Sequence, residues 1–234
     1  MKKGIVMILV LVVASAFAFA SAEPAAQTVP TEDYLGISVG YGYAGEESKT
    51  DGGATRNDEI SQLAITISDY TFLDDGSAVG LYLEAGILIR LNFDTKINGI
   101  VVDYIEPPII LADVAVGPGF RFDLTRDTDI LLSAGVDLSY IDETTKYQEG
   151  PVFYEVTRSL MTLGLYANAD VKYNFTRKFF MTIGFKGTFN FLSWMLKESS
   201  AYAGWNESHT SETKGVEDFI GYRVQPRIGF FYTY

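Results

Sequence analysis

Along most of the chain apolar and polar residues alternate with a period of two, in eight segments separated by turn-forming residues, which predicts eight strands. In DYLGISVGYGYA, Leu35, Ile37, Val39, Tyr41 and Tyr43 share one face, with Gly36, Ser38, Gly40 and Gly42 on the other. LAITI sets Leu63, Ile65 and Ile67 against Ala64 and Thr66. AVGLYLEAGILIRLNF alternates over its whole length, and IILADVAVGPGFRF and DILLSAGVDLSYI follow with the same period. SLMTLGLYANADVKYNF turns Asn168, Asp170 and Lys172 away from its apolar set, and KFFMTIGFKGTFNFLSW does the same with Thr182, Lys186 and Asn190. In the closing RVQPRIGFFYTY, Val224, Pro226, Ile228, Phe230, Tyr232 and Tyr234 oppose Arg223, Gln225 and Arg227.

The connections alternate in length. LDDGS, LTRDT and NFTRK are short, whereas GEESKTDGGATRND, DTKINGIVVDYIEP, DETTKYQEGPVFY and KESSAYAGWNESHTSETKG are long. Short periplasmic turns with long outer loops are the pattern of an outer-membrane barrel, and an even strand count returns both termini to the periplasm. The apolar faces are nearly unbroken, so they are read as facing lipid. There every backbone polar group must be paired within the protein, which forces an all-strand structure to close. The predicted fold is therefore an all-β, eight-stranded antiparallel up-and-down transmembrane β-barrel spanning residues 33–234. Aromatic residues at both ends of the outward faces, Phe120, Phe122, Tyr173, Phe175, Phe179, Tyr232 and Tyr234 low and Tyr41, Tyr43, Phe93, Tyr140, Phe189 and Phe191 high, are read as interfacial girdles.

The N-terminus changes the picture by assigning a compartment. Lys2 and Lys3, an apolar run and Ala20-Ser21-Ala22 read as a signal peptide over residues 1–22, cleaved before Glu23. Residues 23–32 then form a short periplasmic segment, and the expected location is the bacterial outer membrane. The chain has no cysteine, so no disulfide framework or lipidated cysteine is available. A formal net charge of −12 argues against nucleic-acid binding.

A barrel of eight strands holds its own side chains or one small ligand. Inward-facing Glu84, Arg90, Asp113, Asp137, Lys186, Arg223 and Arg227 are expected to form a nearly balanced charge layer across the lumen. Above it, Leu88, Ile109, Leu111, Ile141, Leu160, Leu192, Trp194 and Phe219 are expected to line an apolar chamber open to the outside, suited to a small hydrophobic ligand. The lone His209 has Ser211 and Glu212 nearby, but it sits in a polar loop without rigid support for a base, so no catalytic role is assigned. No motif for a metal or another cofactor is present.

The stretches IEPPIILADVAVGPGFRF, LLSAGVDLSYIDE and LMTLGLYANADVKYNFTRKFFMTIGFKGTF, with the closing strand, resemble the outer membrane protein W family from residue 100 to the C-terminus. In that family a Leu-Pro-Pro segment opens the fourth strand; here Glu106 precedes Pro107 and Pro108. The resemblance implies a hydrophobic channel closed toward the periplasm that passes small apolar molecules sideways into the membrane. The closing Phe230, Tyr232 and Tyr234 also resemble the C-terminal signal read by the barrel assembly machinery. Prolines cannot donate to a ladder, so Pro107 and Pro108 are expected to leave a lateral gate in the wall. The partners expected are outer-membrane lipid, small apolar solutes and the assembly machinery, with the barrel monomeric. The competing expectation is a structural or adhesin-type barrel whose long loops bind host or other molecules without transport.

Overall fold

The computed structural model describes residues 32–49, 53–73, 77–102, 110–149, 152–203, 206–215 and 219–234. The expected signal peptide, almost all of the periplasmic segment, and Pro107, Pro108 and Ile109 lie outside them.

Ten strands follow in order: β1 Glu32–Lys49, β2 Thr55–Phe72, β3 Val79–Ile97, β4 Ile100–Val102, β5 Ile110–Asp123, β6 Thr128–Glu149, β7 Val152–Asn174, β8 Phe179–Ala203, β9 Asn206–Gly215 and β10 Ile220–Thr233. Eight of them close a ring in the order β10, β1, β2, β3, β5, β6, β7, β8, with β8 pairing back to β10. Every pairing is antiparallel. β4 and β9 stand outside the ring, each paired on one side only, to β3 and β8. The chain is thus an eight-stranded antiparallel barrel of the outer-membrane type.

Alternation decides which face is which. Leu35, Ile37, Val39, Ile65, Ile67, Leu165, Ile183 and Phe230 lie exposed on the outside, while Ser38, Thr66, Asn168, Lys186 and Arg227 are buried within. Across β7 the outer face from Met161 to Tyr173 rises roughly 30 Å once strand tilt is allowed for, enough to cross a hydrocarbon core. Exposed Phe122, Tyr173, Phe175 and Phe179 mark the lower end, and Tyr41, Tyr43, Phe189 and Phe191 the upper.

The long connections differ from expectation. The segments read as loops are largely continuations of the strands: β6 and β7 stay in register up to Glu149↔Val152, and β8 runs on beside β7 and β9 up to Ala203↔Asn206. DTKINGIVVDYIEP also turns back on itself as a hairpin, pairing Ile97 with Ile100 across Asn98 and Gly99. Both of these residues have positive φ, 51° and 81°, the geometry a two-residue hairpin loop requires and Asn-Gly supplies.

β5 and β10 are the shortest strands of the ring, at 14 residues each. The described β3–β5 ladder includes Ile89↔Ile110 and the β5–β6 ladder Leu111↔Ile141. β10 pairs with β1 as far as Glu47↔Ile220 and with β8 as far as Asn190↔Gly221, above which β8 takes β9 as its partner. Toward the outer end, β1, β2, β3 and β4 form one paired plate and β6, β7, β8 and β9 another.

Candidate binding site in the upper lumen

Within the ring the inward side chains form layers. Nearest the periplasm is an aromatic plug of Tyr34, Tyr70, Phe72, Tyr82, Tyr166, Phe180 and Phe231, packed with Ala115 and Leu131. Phe180 and Phe231 stack at 5.1 Å, and Tyr34 meets Phe180 edge-on at 4.8 Å. Room for these rings comes from small residues opposite them: a Cβ on Gly36 would lie 2.3 Å from the Phe231 ring. Beneath the plug, an open bowl of about 630 Å³ includes Arg121, Asp129, Lys172 and Arg177 in its lining. Arg121 and Lys172 each donate to the Tyr34 hydroxyl, at 2.8 and 2.9 Å, tying the bowl to the plug.

Above the plug lies the charge layer. Lys186 Nζ reaches Glu84 at 2.8 Å, Asp113 at 2.9 Å and Asp137 at 3.0 Å. Arg223 bridges Asp113 at 2.7 Å and Asp137 at 3.4 Å, and Ser139 donates to Asp113 at 2.7 Å. Arg227 grips Asp170 through two nitrogens at 2.6 and 3.1 Å and also pairs with Glu84, to which the Tyr82 hydroxyl donates. These groups come from β3, β5, β6, β7, β8 and β10, so the network ties the barrel across its diameter. Charges this deep persist only when paired and hydrogen-bonded, and here each carboxylate meets at least one cation. The network spans the lumen directly above the aromatic plug.

Six of the seven residues expected in the charge layer are brought together in it. Arg90 is buried but sits higher, opposite Gln62 and two residues beyond Leu88 on the same face. Its electrostatic neighbour there is Glu46, which also feels Asp58 and Arg56. Strand rise alone explains this, since Arg90 keeps the face of Glu84 and Leu88 and lies six residues beyond Glu84. Just past it a register break at Ser61/Gln62 leaves Leu91 as an extra residue, and Thr95 then turns inward to donate to Asp58 at 2.6 Å. Asp170 and Tyr82 belong to the network although they are absent from the set expected on sequence grounds. Both stand at inward positions of their strands, which is the signal that could have found them. The same signal marks the plug, since Tyr34, Phe72, Phe180 and Phe231 are aromatics on otherwise polar faces beside short turns.

Of the expected chamber residues, Leu88, Leu111 and Ile141 form one apolar cluster with Ala64, and Leu160 packs against it. Phe219 is buried as well, with its ring beside Gly221. Leu192 and Trp194 are corrections: they are 45% and 42% exposed and lie on the outer wall. Leu192 pairs with outward Leu163 and Trp194 with outward Met161, because a bulge between Asn190 and Leu192 adds one residue and reverses the strand's faces. Ser193 takes the inward place instead. The apolar layer is therefore narrower than expected, gathered on β2, β3, β5, β6 and β7, and it lies between the charge layer and the Arg90 group. Leu111 and Ile141 face each other directly in the β5–β6 ladder. His209, Ser211 and Glu212 lie on β9, which pairs with the outer part of β8. Among the described residues no group of carboxylates and histidines could hold a metal ion.

No protein-family model matches this chain, and no curated protein sequence does either. Solved structures do resemble it. A major outer membrane protein from Thermus thermophilus is 13% identical, with a TM-score of 0.48, over 86% of this chain and 99% of that one. The outer membrane protein AlkL is 12% identical, with a TM-score of 0.45, over 92% and 95% of the two chains. Neisserial surface protein A is 12% identical, with a TM-score of 0.44, over 84% and 95%. At these identities and scores the likenesses decide nothing about function.

Proposed function

We propose that this barrel admits small hydrophobic molecules from outside, holds them against Leu88, Leu111, Ile141 and Leu160, and releases them sideways into the bilayer. One observation carries the reading: the apolar layer lies directly above a layer of buried, paired charges. An apolar solute there has lower free energy leaving into lipid than crossing ion pairs, because desolvating those charges is costly. Pro107 and Pro108, which cannot donate to a ladder, would leave a lateral gate in the wall, and Phe219 would bound the chamber on the other side. This is the behaviour the resemblance to the outer membrane protein W family implies, with the signal peptide delivering the chain to the outer membrane and β10 serving the assembly machinery.

Reconstituted into liposomes, the protein is expected to speed entry of a small apolar solute above the protein-free rate. Pro107→Val with Pro108→Val, which restores two ladder donors and favours strand, is expected to return the rate toward that baseline while leaving unfolding unchanged. Uptake in wild type equal to protein-free liposomes would remove transport altogether; unchanged uptake in the folded double variant would remove this gate.

A second reading is favoured by the plate of β6, β7, β8 and β9, which stands roughly 20 Å above the apolar layer when rise and tilt are considered. Such a platform suits adhesion to a molecule outside the cell. Deleting residues 197–215 is expected to abolish surface binding without changing uptake if adhesion is the role, and unaltered binding would count against it.

A further inference from the structure

The bulge that turns Leu192 and Trp194 outward also gathers three polar side chains inside. Thr162 faces Ser193, and Gly164 faces Asn190, on either side of the extra residue Phe191. Thr162, Ser193 and Asn190 are 1%, 5% and 9% exposed. Thr162 Oγ1, Ser193 Oγ and Asn190 Oδ1 have no hydrogen-bond partner among the described residues. Buried polar atoms are ordinarily paired, and leaving three unpaired beside one another is unfavourable unless something occupies the space between them. The amide of Asn190 depends on the glycine opposite: a Cβ at Gly164 would stand 2.2 Å from its Oδ1. Leu160 connects this group to the apolar layer, being two residues from Thr162 on the same face and packed against Leu88, Leu111 and Ile141.

We propose that the bulge is a polar subsite of the chamber, which takes the hydroxyl of an uncharged amphiphile, such as a short primary alcohol, while the apolar layer takes its chain. The inference rests on the function proposed above and gives its solute a chemical class. A hydroxyl both donates and accepts, so it serves Asn190 Oδ1 and either role of the Thr162 and Ser193 hydroxyls. Anions are disfavoured because Asp137 lies opposite Gly164 with its charge already met by Lys186 and Arg223. Cations are disfavoured by Arg223 itself, which donates to Thr188 two positions below Asn190. A pure hydrocarbon would leave all three atoms unpaired.

The test is a titration of the folded protein in lipid nanodiscs with hexane, 1-hexanol and hexylammonium, compared at equal mole fraction in the lipid. Methyl resonances of Leu88, Leu111 and Ile141 report the apolar layer, and the side-chain amide of Asn190 reports the subsite. The expected result is that 1-hexanol binds about fivefold more tightly than hexane, shifts the Asn190 amide, and outcompetes hexylammonium. In Thr162→Val with Ser193→Ala the advantage over hexane disappears while hexane binds as before. Equal affinity of alcohol and alkane in wild type, as ordered water holding the subsite permanently would produce, overturns the inference and leaves the chamber standing. So does an advantage that survives in the variant, or tighter binding of hexylammonium. Methyl resonances that move with none of the probes would overturn the chamber and the subsite together.

Discussion

Lys186→Met is expected to destabilise the barrel by about 3–5 kcal/mol, the scale seen when one partner of a buried ion pair is removed. The ammonium touches three carboxylates from three strands, Glu84, Asp113 and Asp137, all within 3.0 Å. Methionine keeps most of the side-chain volume, so the loss is electrostatic rather than a cavity. Arg223 and Arg227 still hold Asp113 and Glu84, but Asp137 keeps as its cation only Arg223, at the longer distance of 3.4 Å, with the Ser139 hydroxyl donating at 3.2 Å. Urea unfolding in lipid vesicles, followed by tryptophan fluorescence, measures the change. The matched control is Lys178→Met in the β7–β8 turn, where the side chain is exposed and the expected change is within about 0.5 kcal/mol. A loss at Lys186 no larger than at Lys178 would mean that the charge layer contributes little to stability.

Phe185→Arg is expected to cost about 2–4 kcal/mol, the amount for a cation near the midplane of the lipid-facing wall. Phe185 is 56% exposed and lies midway along the outer face of β8, between Phe179 at the lower girdle and Phe191 at the upper. The cost should depend on depth. Phe175→Arg, at the lower girdle, is expected to cost no more than about 1 kcal/mol because the guanidinium reaches the headgroups. Refolding into vesicles of each variant gives both numbers. Similar, small costs at the two sites would mean that the outer face does not meet hydrocarbon, and the membrane reading would fail with it.

The ring of strands is legible in the sequence because lipid on one side and a polar lumen on the other impose a strict period of two, as in Leu35, Ile37 and Val39 against Gly36, Ser38 and Gly40. Toward the outer ends of the strands the sequence loses that contrast although the strand continues. DETTKYQE therefore has the composition of a loop while forming the upper part of β6. The Asn98-Gly99 turn is readable from its dipeptide alone. The bulge at Phe191 is not, since Phe191, Leu192 and Trp194 are all apolar and either phase satisfies the pattern. Parity identifies the inward charges, but not which of them meet: Lys186 and Glu84 are 102 residues apart, and only closure of the ring makes them neighbours. Arg90 points inward as parity requires, but six residues of strand rise separate it from Glu84, and parity does not say how high along the barrel each inward residue sits.

Closure of the ring has a mechanical consequence. Through the charged and aromatic layers, backbone hydrogen bonds run around the full circumference, and the barrel resists deformation there as a hoop does. Pushing any one strand outward at that height would have to break ladder bonds on both of its sides at once. The buried ion pairs therefore sit in the stiffest belt of the wall, where the distances between their partners are held against outside force.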